Sequence, residues 1–298
     1  MGRHLVGLLA LPFALTFASC EPQERERPPG GGVGMPNTPP TTGNTPAPTS
    51  GRSLPPLSGG TLLVLSDPDL AVVSEPDLNR VFVVRLSGGI VHEIALEDGA
   101  EPGRAVEDAA GNVHVVLRNK NAVLTVDPGD GETRTTPVCL APRGIGYDAA
   151  SDSLYVACAL GSVSNIAASD GMAIKTFELE PDLRDVVING DHIFISKFRS
   201  AEVLLVSHDG EIKGRKRPAS TTDFTSTVAW RMAPFQDGVV MAHQRSADRE
   251  IDVSPEVEDG VYQGGGSCDS ALVQAAVTTF SVDDTGALTS RTTSLSTL

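Results

Sequence analysis

From residue 61 onward the chain repeats with a period of about forty residues, and this constrains the fold more than any single motif does. The valine opening the strand in RVFVVRL, AVLTVD, SVSNIA, EVLLVS and AVTTFS is Val81, Val123, Val163, Val203 and Val277, at steps of 42, 40, 40 and 74. The turn glycines that follow, Gly89, Gly131, Gly171, Gly210 and Gly286, step by 42, 40, 39 and 76. A third marker precedes the units: Glu101-Pro102-Gly103-Arg104, Ala141-Pro142-Arg143-Gly144 and Pro181-Asp182-Leu183-Arg184, with prolines 40 and 39 apart. Short runs of β-formers punctuated by Gly, Asp and Asn fill each period. The second unit divides into Arg104 to Glu107, Val113 to Leu117, Val123 to Val126 and Thr133 to Thr136. Four strands in about forty residues is the size of a propeller blade, and a β-sandwich of regular spacing does not keep three markers in step. The sequence therefore predicts an all-β fold over 60–298, a β-propeller of four-stranded blades. Five blades are visible, the last lengthened by an insertion at 245–272.

The first twenty residues, MGRHLVGLLALPFALTFASC, open with Arg3 and His4, continue apolar from Leu5 to Phe17 and end Ala18-Ser19-Cys20. An apolar run of 13 residues is shorter than the roughly 20 a membrane-crossing helix needs, so 1–20 reads as a signal peptide. Small residues before Cys20 resemble the lipobox of bacterial lipoproteins, in which the cysteine is diacylated and becomes the new amino terminus. Phe17 departs from that pattern, which has Leu, Val or Ile there. An ordinary secretory signal with an incidental cysteine is the alternative. Two or three acyl chains hold a protein stably to a bilayer, so the resemblance implies a lipid anchor at Cys20 and a place in the cell envelope, facing the periplasm or the exterior. Residues 21–59, rich in Pro, Gly and Thr, offer little to bury and read as a disordered tether.

LAVVSEPDLNRVFVVRLSGGIVHEIAL, VEDAAGNVHVVLRNKNAVLTVDP and YDAASDSLYVACALGSVSNI resemble blades of the YVTN-type bacterial propeller family, over Thr61 to about Leu298. The resemblance implies the fold and says little of function, because such propellers serve as adhesins, binding platforms, enzyme scaffolds and partners of haem domains. Family members close with about seven blades, so five imply a truncated chain or closure at an unusual number.

In a propeller the connections from the outermost strand to the next blade's inner strand share one face with those between the second and third strands. The remaining turns share the other. Sorted this way, Asp108, Asp127, Asp148, Asp170, Asp209 and Asp283 fall on the second face, where tight turns favour Asp for backbone reasons. The first face collects Arg104, Arg143, Arg184 and Arg231 at the start of inner strands, with Arg118, Lys120, Lys197, Arg199 and Arg245 in second-to-third connections. Turn chemistry does not ask for Arg. A recurring guanidinium at the channel mouth suits carboxylate or phosphate. Equally, each Arg could pair with an acid such as Glu107 or Asp185 and tie blade to blade. Both readings stand at this point. Lys+Arg 23 against Asp+Glu 38 gives a net charge of -15, which argues against nucleic acid or anionic lipid as a general partner.

Cys139 and Cys158 fall near one another in the third blade, as a disulfide permitted by export or as two free thiols, and Cys268 is left over. No CxxCH haem motif, metal-ligand histidine spacing, nucleophile elbow, P-loop or dinucleotide fingerprint occurs, so no cofactor is expected. The acids of the insertion lack the fixed positions of a calcium loop. The function expected first is a membrane-tethered, non-catalytic platform whose ligand is an anionic small molecule, a glycan or an envelope protein. The alternatives are an electron-transfer assembly whose haem domain lies outside this chain, and an incomplete gene product without a stable fold.

Overall fold

The computed structural model describes residues 61–248 and 272–295. Cys20, the tether, Cys268 and most of the insertion lie outside the described residues. Those described form twenty strands in five separate four-stranded sheets, each an antiparallel meander. The first sheet holds β1 (Thr61–Val64), β2 (Leu70–Glu75), β3 (Arg80–Arg85) and β4 (Gly89–Ala95), and the second β5 (Pro102–Glu107), β6 (Val113–Leu117), β7 (Ala122–Val126) and β8 (Thr133–Pro137). The third holds β9 (Pro142–Asp148), β10 (Ser153–Cys158), β11 (Ser162–Ala167) and β12 (Ala173–Glu178). The fourth holds β13 (Leu183–Asn189), β14 (His192–Lys197), β15 (Val203–Val206) and β16 (Ile212–Lys216). Longer strands build the fifth: β17 (Phe224–Phe235), β18 (Gly238–Ala247), β19 (Val273–Val282) and β20 (Leu288–Ser294). These are propeller blades, one to each sequence period.

Period-two alternation assigns each side chain to one neighbour. On β6, Val115 packs toward the first sheet and Val116 toward the third. On β10, Val156 joins the core with the second sheet, and Tyr155 and Ala157 the core with the fourth. Ile193 and Ile195 of β14 face the third sheet, whereas Phe194 faces Met241 and Phe280 of the fifth. Strands buried on both faces thus read as continuous apolar runs, and each such side chain contributes about 1.5–3 kcal/mol.

The turns repeat as strictly as the cores. Asn79, Asn121, Gly161 and Ala201 precede the third strands with φ of 51°, 53°, 114° and 51°. The Asn79 and Asn121 side chains each accept the N–H that begins the next blade, from Glu101 at 3.0 Å and Ala141 at 2.9 Å, stapling one sheet to the next. Innermost strands approach closely: a Cβ on Gly144 of β9 would lie 2.7 Å from the Asp185 Cα of β13, so only glycine fits there.

Strand β18 runs through Ala247, with Arg245 opposite Gln274 and Ser246 opposite Val273. The insertion expected at 245–272 therefore starts later, because the ladder of the fifth blade is longer than its predecessors. Extensive packing joins each sheet to the next in sequence. Leu62 and Val64, on the face of β1 turned away from the second sheet, are 62% and 53% exposed.

Candidate functional site

In the three middle blades the recurring arginine sits at a break in strand register. Pro102 pairs with Leu117 and Ala105 with Val115, so Gly103 and Arg104 stand against Val116 alone. Gly144 pairs with Ala157 and Pro142 with Cys158, leaving Arg143 as the extra residue. Leu183 pairs with Lys197 and Asp185 with Ser196, leaving Arg184. A bulge turns the backbone and re-aims the side chain it carries, here toward the space between the inner strands. In β17 two residues are extra, Thr227 and Trp230, and exposed Arg231 follows the second opposite Ala242.

Arg104, 7% exposed, reaches across the inner strands. Its Nη1 lies 3.3 Å from Asp185 Oδ2 on β13, and its Nη2 donates to the Trp230 carbonyl on β17. Asp185 Oδ2 also accepts the Met232 N–H at 2.8 Å, so this pair ties the second, fourth and fifth sheets. Burial lowers Arg104 to about 10, against the raising charge of Asp185, and leaves it cationic at neutral pH. Burial likewise pushes Asp185 up, while Arg104, Arg231 and two backbone N–H groups favour its charged form.

Arg118, Arg143 and Arg184 are half-buried. Burial lowers Arg118, and the charges of Arg143 and Arg184 lower it further. Arg184 is lowered by burial and then by Arg143, with the Asp185 charge opposing both. The inner strands that carry Arg143 and Arg184 approach closely, a Cβ on Gly144 meeting the Arg184 carbonyl at 2.8 Å, and the three cations sit near enough to act on one another's charge. Arg118 Nε lies against Gly103, where a Cβ would approach it to 2.8 Å. The Arg184 Cζ sits 4.8 Å from the Phe198 ring centroid, and its Nε is buried with no hydrogen-bond partner. Phe198 stands in the fourth blade where Arg118 stands in the second, since their N–H groups donate to the equivalent carbonyls of Asp182 and Glu101. Among the described residues no carboxylate lies within 4.0 Å of Arg118, Arg143, Arg184 or Arg231.

The other cations of this face are engaged locally. Lys197 pairs with Glu180 at 2.7 Å, as does Arg215, and together they lower Glu180 to about 2. Lys120 pairs with Glu97 at 3.0 Å. Arg199, its side chain 86% exposed, is 3.9 Å from Asp182. Arg245 is buried beneath the preceding connection, donating to the Ala219 carbonyl at 2.9 Å. The expected blade tie between an arginine and Glu107 does not form. Glu107 lies at the opposite end of β5 from Arg104 and accepts the Ser66 N–H at 2.7 Å and hydroxyl at 3.0 Å. Beside the Arg143 bulge, Cys139 and Cys158 form a disulfide, their Cα atoms 6.0 Å apart.

On the opposite face the carboxylates serve their own turns. Asp127, Asp148, Asp170 and Asp283 each accept the N–H two residues on, at 2.7, 3.0, 2.8 and 2.9 Å. Asp108 Oδ2 receives His114 Nε2 at 3.0 Å, and His114 Nδ1 meets Thr125 Oγ1 at 3.0 Å. His243 Nε2 lies 2.8 Å from Thr278 Oγ1. Burial lowers both histidines, His243 to about 4, and marks them as neutral parts of the framework. Among the described residues no group of three or more His, Cys, Asp or Glu is placed to hold a metal.

No protein-family model and no curated protein matches the sequence. Solved structures do. Virginiamycin B lyase from Staphylococcus aureus is 14% identical with a TM-score of 0.51, the match covering 62% of this chain and 64% of that one. Kuenenia stuttgartiensis hydrazine synthase gives 13% identity and a TM-score of 0.59, over 75% of this chain and 63% of that one. A streptogramin B lyase gives 10% and 0.54, over 79% and 83%. The likeness is one of β-propeller fold alone.

Proposed function

We propose that this propeller is a non-catalytic binding platform whose ligand or partner carries negative charge and seats on the arginine-bearing face, with the molecule held to an envelope membrane through Cys20. One observation supports it most: Arg118, Arg143 and Arg184 converge, half-buried, with no carboxylate in ion-pairing reach among the described residues. Desolvating like charges together costs stability. Strand bulges carry Arg143 and Arg184, and the connection after β6 carries Arg118, to one end of successive blades nonetheless, which fits a surface kept for an anion that arrives from outside. The overall charge of -15 repels polyanions in general, so attraction to one is local to this face.

Retention of the full chain on a carboxylate or heparin matrix at low ionic strength tests the platform. Wild type is expected to be held and Arg143→Ala/Arg184→Ala to pass through; equal behaviour of the two, retained or not, contradicts the reading. Membrane fractionation tests the anchor separately. Cys20→Ser is expected to release the protein, and a variant still bound to membranes would remove Cys20 as the attachment.

A further inference from the structure

We infer that Arg118, Arg143 and Arg184 form a seat for a tetrahedral, doubly charged oxyanion, the phosphate group of a soluble phosphorylated molecule, rather than for a single carboxylate. The inference rests on the platform reading and narrows its ligand class.

Charge is the first consideration. Arg104 takes the ion pair with Asp185 at 3.3 Å, and none of the three half-buried guanidiniums has a carboxylate within 4.0 Å among the described residues. A carboxylate brings one negative charge and two coplanar oxygens, which match the fork of a single guanidinium. A phosphate monoester brings about -1.5 to -2 at pH 7 and three acceptor oxygens pointing in different directions. Three guanidiniums entering from three blades ask for the second shape.

Preorganisation is the next. The Arg184 Cζ lies 4.8 Å from the Phe198 ring centroid, within cation–π reach, which restrains the guanidinium on one side. Arg143 projects from a bulge whose partner strand ends at Cys158, fixed by the disulfide to Cys139. Arg118 is confined against Gly103, where no side chain intervenes. Rigid donors lose little entropy when the anion arrives. The Arg184 Nε–H is buried with no acceptor among the described residues, a state it shares with Arg134 and Arg245. A net charge of -15 opposes docking onto an anionic bilayer face, so a phosphate carried by a small soluble molecule meets less repulsion than a headgroup in a charged membrane.

Calorimetric titration of the full chain, at constant pH and ionic strength, with inorganic phosphate, sulfate and acetate tests this seat. Phosphate and sulfate are expected to bind at least about tenfold more tightly than acetate. Arg143→Ala should weaken phosphate by about tenfold or more, Arg143→Lys by less, since it keeps the charge and loses the fork. Lys213→Ala, on the last strand of the fourth sheet beside Glu211, should leave affinity unchanged, and melting curves would show that each variant is folded. Acetate binding as tightly as phosphate, with Arg143→Ala weakening both, would overturn the dianion seat and leave the platform standing. No binding of any of the three anions by folded protein overturns the seat, while matrix retention decides the platform. Binding to phosphatidic acid vesicles without binding to inorganic phosphate would overturn the soluble ligand.

Discussion

The aspartates of one face and the arginines of the other recur with the same period, yet their surroundings differ. Asp127, Asp148, Asp170 and Asp283 find hydrogen-bond donors two residues along their own turns. The four arginines at or beside the inner-strand bulges, Arg104, Arg118, Arg143 and Arg184, find no ion pair within their own blade. Arg104 reaches two sheets away to Asp185, and Arg118, Arg143 and Arg184 have no carboxylate within 4.0 Å among the described residues. Recurrence alone does not mark a site, because a repeat copies whatever its turns need. What separates the faces is whether the repeated charge is satisfied within its own unit.

The contrast breaks first at Asp185, with the largest expected effect. Asp185→Ala leaves Arg104 buried without its counter-ion and should cost about 3–5 kcal/mol in urea unfolding; a loss under about 1 kcal/mol would mean that the pair does not hold the inner strands together. Removing the Cys139–Cys158 bond, which spans 19 residues, should lower stability by about 3 kcal/mol by freeing the unfolded chain. Unchanged melting of Cys139→Ser/Cys158→Ser would show the Arg143 strand to be braced by packing alone.

Acid provides a third handle. His243 is held at about 4, well below its ordinary 6.5, so its contribution is complete above pH 6.5 and is lost as pH falls toward 4. That loss is on the order of 2–3 kcal/mol. His243→Gln should flatten the curve in this window, whereas the fall between 4.5 and 2 from Glu180, whose value is lowered, should persist. An identical acid profile in the variant would assign the loss elsewhere. The smallest effect belongs to the turn acids: Asp127→Ala should cost about 1 kcal/mol, one local hydrogen bond, with no change in anion binding.

Much of this was legible in the sequence because period and alternation are local. Strand count, blade limits and the face of each connection follow from where Val81, Gly89 and their copies fall. The recurrence of Arg104, Arg143 and Arg184 near the start of successive inner strands follows from the period as well. Distances across the inner strands do not follow, since a period says which blade holds a residue and not what lies opposite. Hence the partner of Arg104 is found two blades away and Glu107 holds Ser66. Arg245 illustrates the same limit: its place in the repeat put it on the arginine face, but packing turned it under a connection toward Ala219. Aligning Phe198 with Arg118 would have revealed the aromatic shelf beneath Arg184, a signal the sequence did contain.

The division of labour among the arginines is tested most directly by urea unfolding of Arg143→Ala/Arg184→Ala beside Arg104→Ala, each with and without phosphate. The double variant should lie within about 1 kcal/mol of wild type, since its removal relieves repulsion and strands no acid, and phosphate should no longer stabilise it. Arg104→Ala alone should lose about 3–5 kcal/mol, because buried Asp185 is left unpaired. A double variant that loses as much as Arg104→Ala, or that phosphate still protects as it does wild type, would contradict the assignment of Arg143 and Arg184 to a ligand.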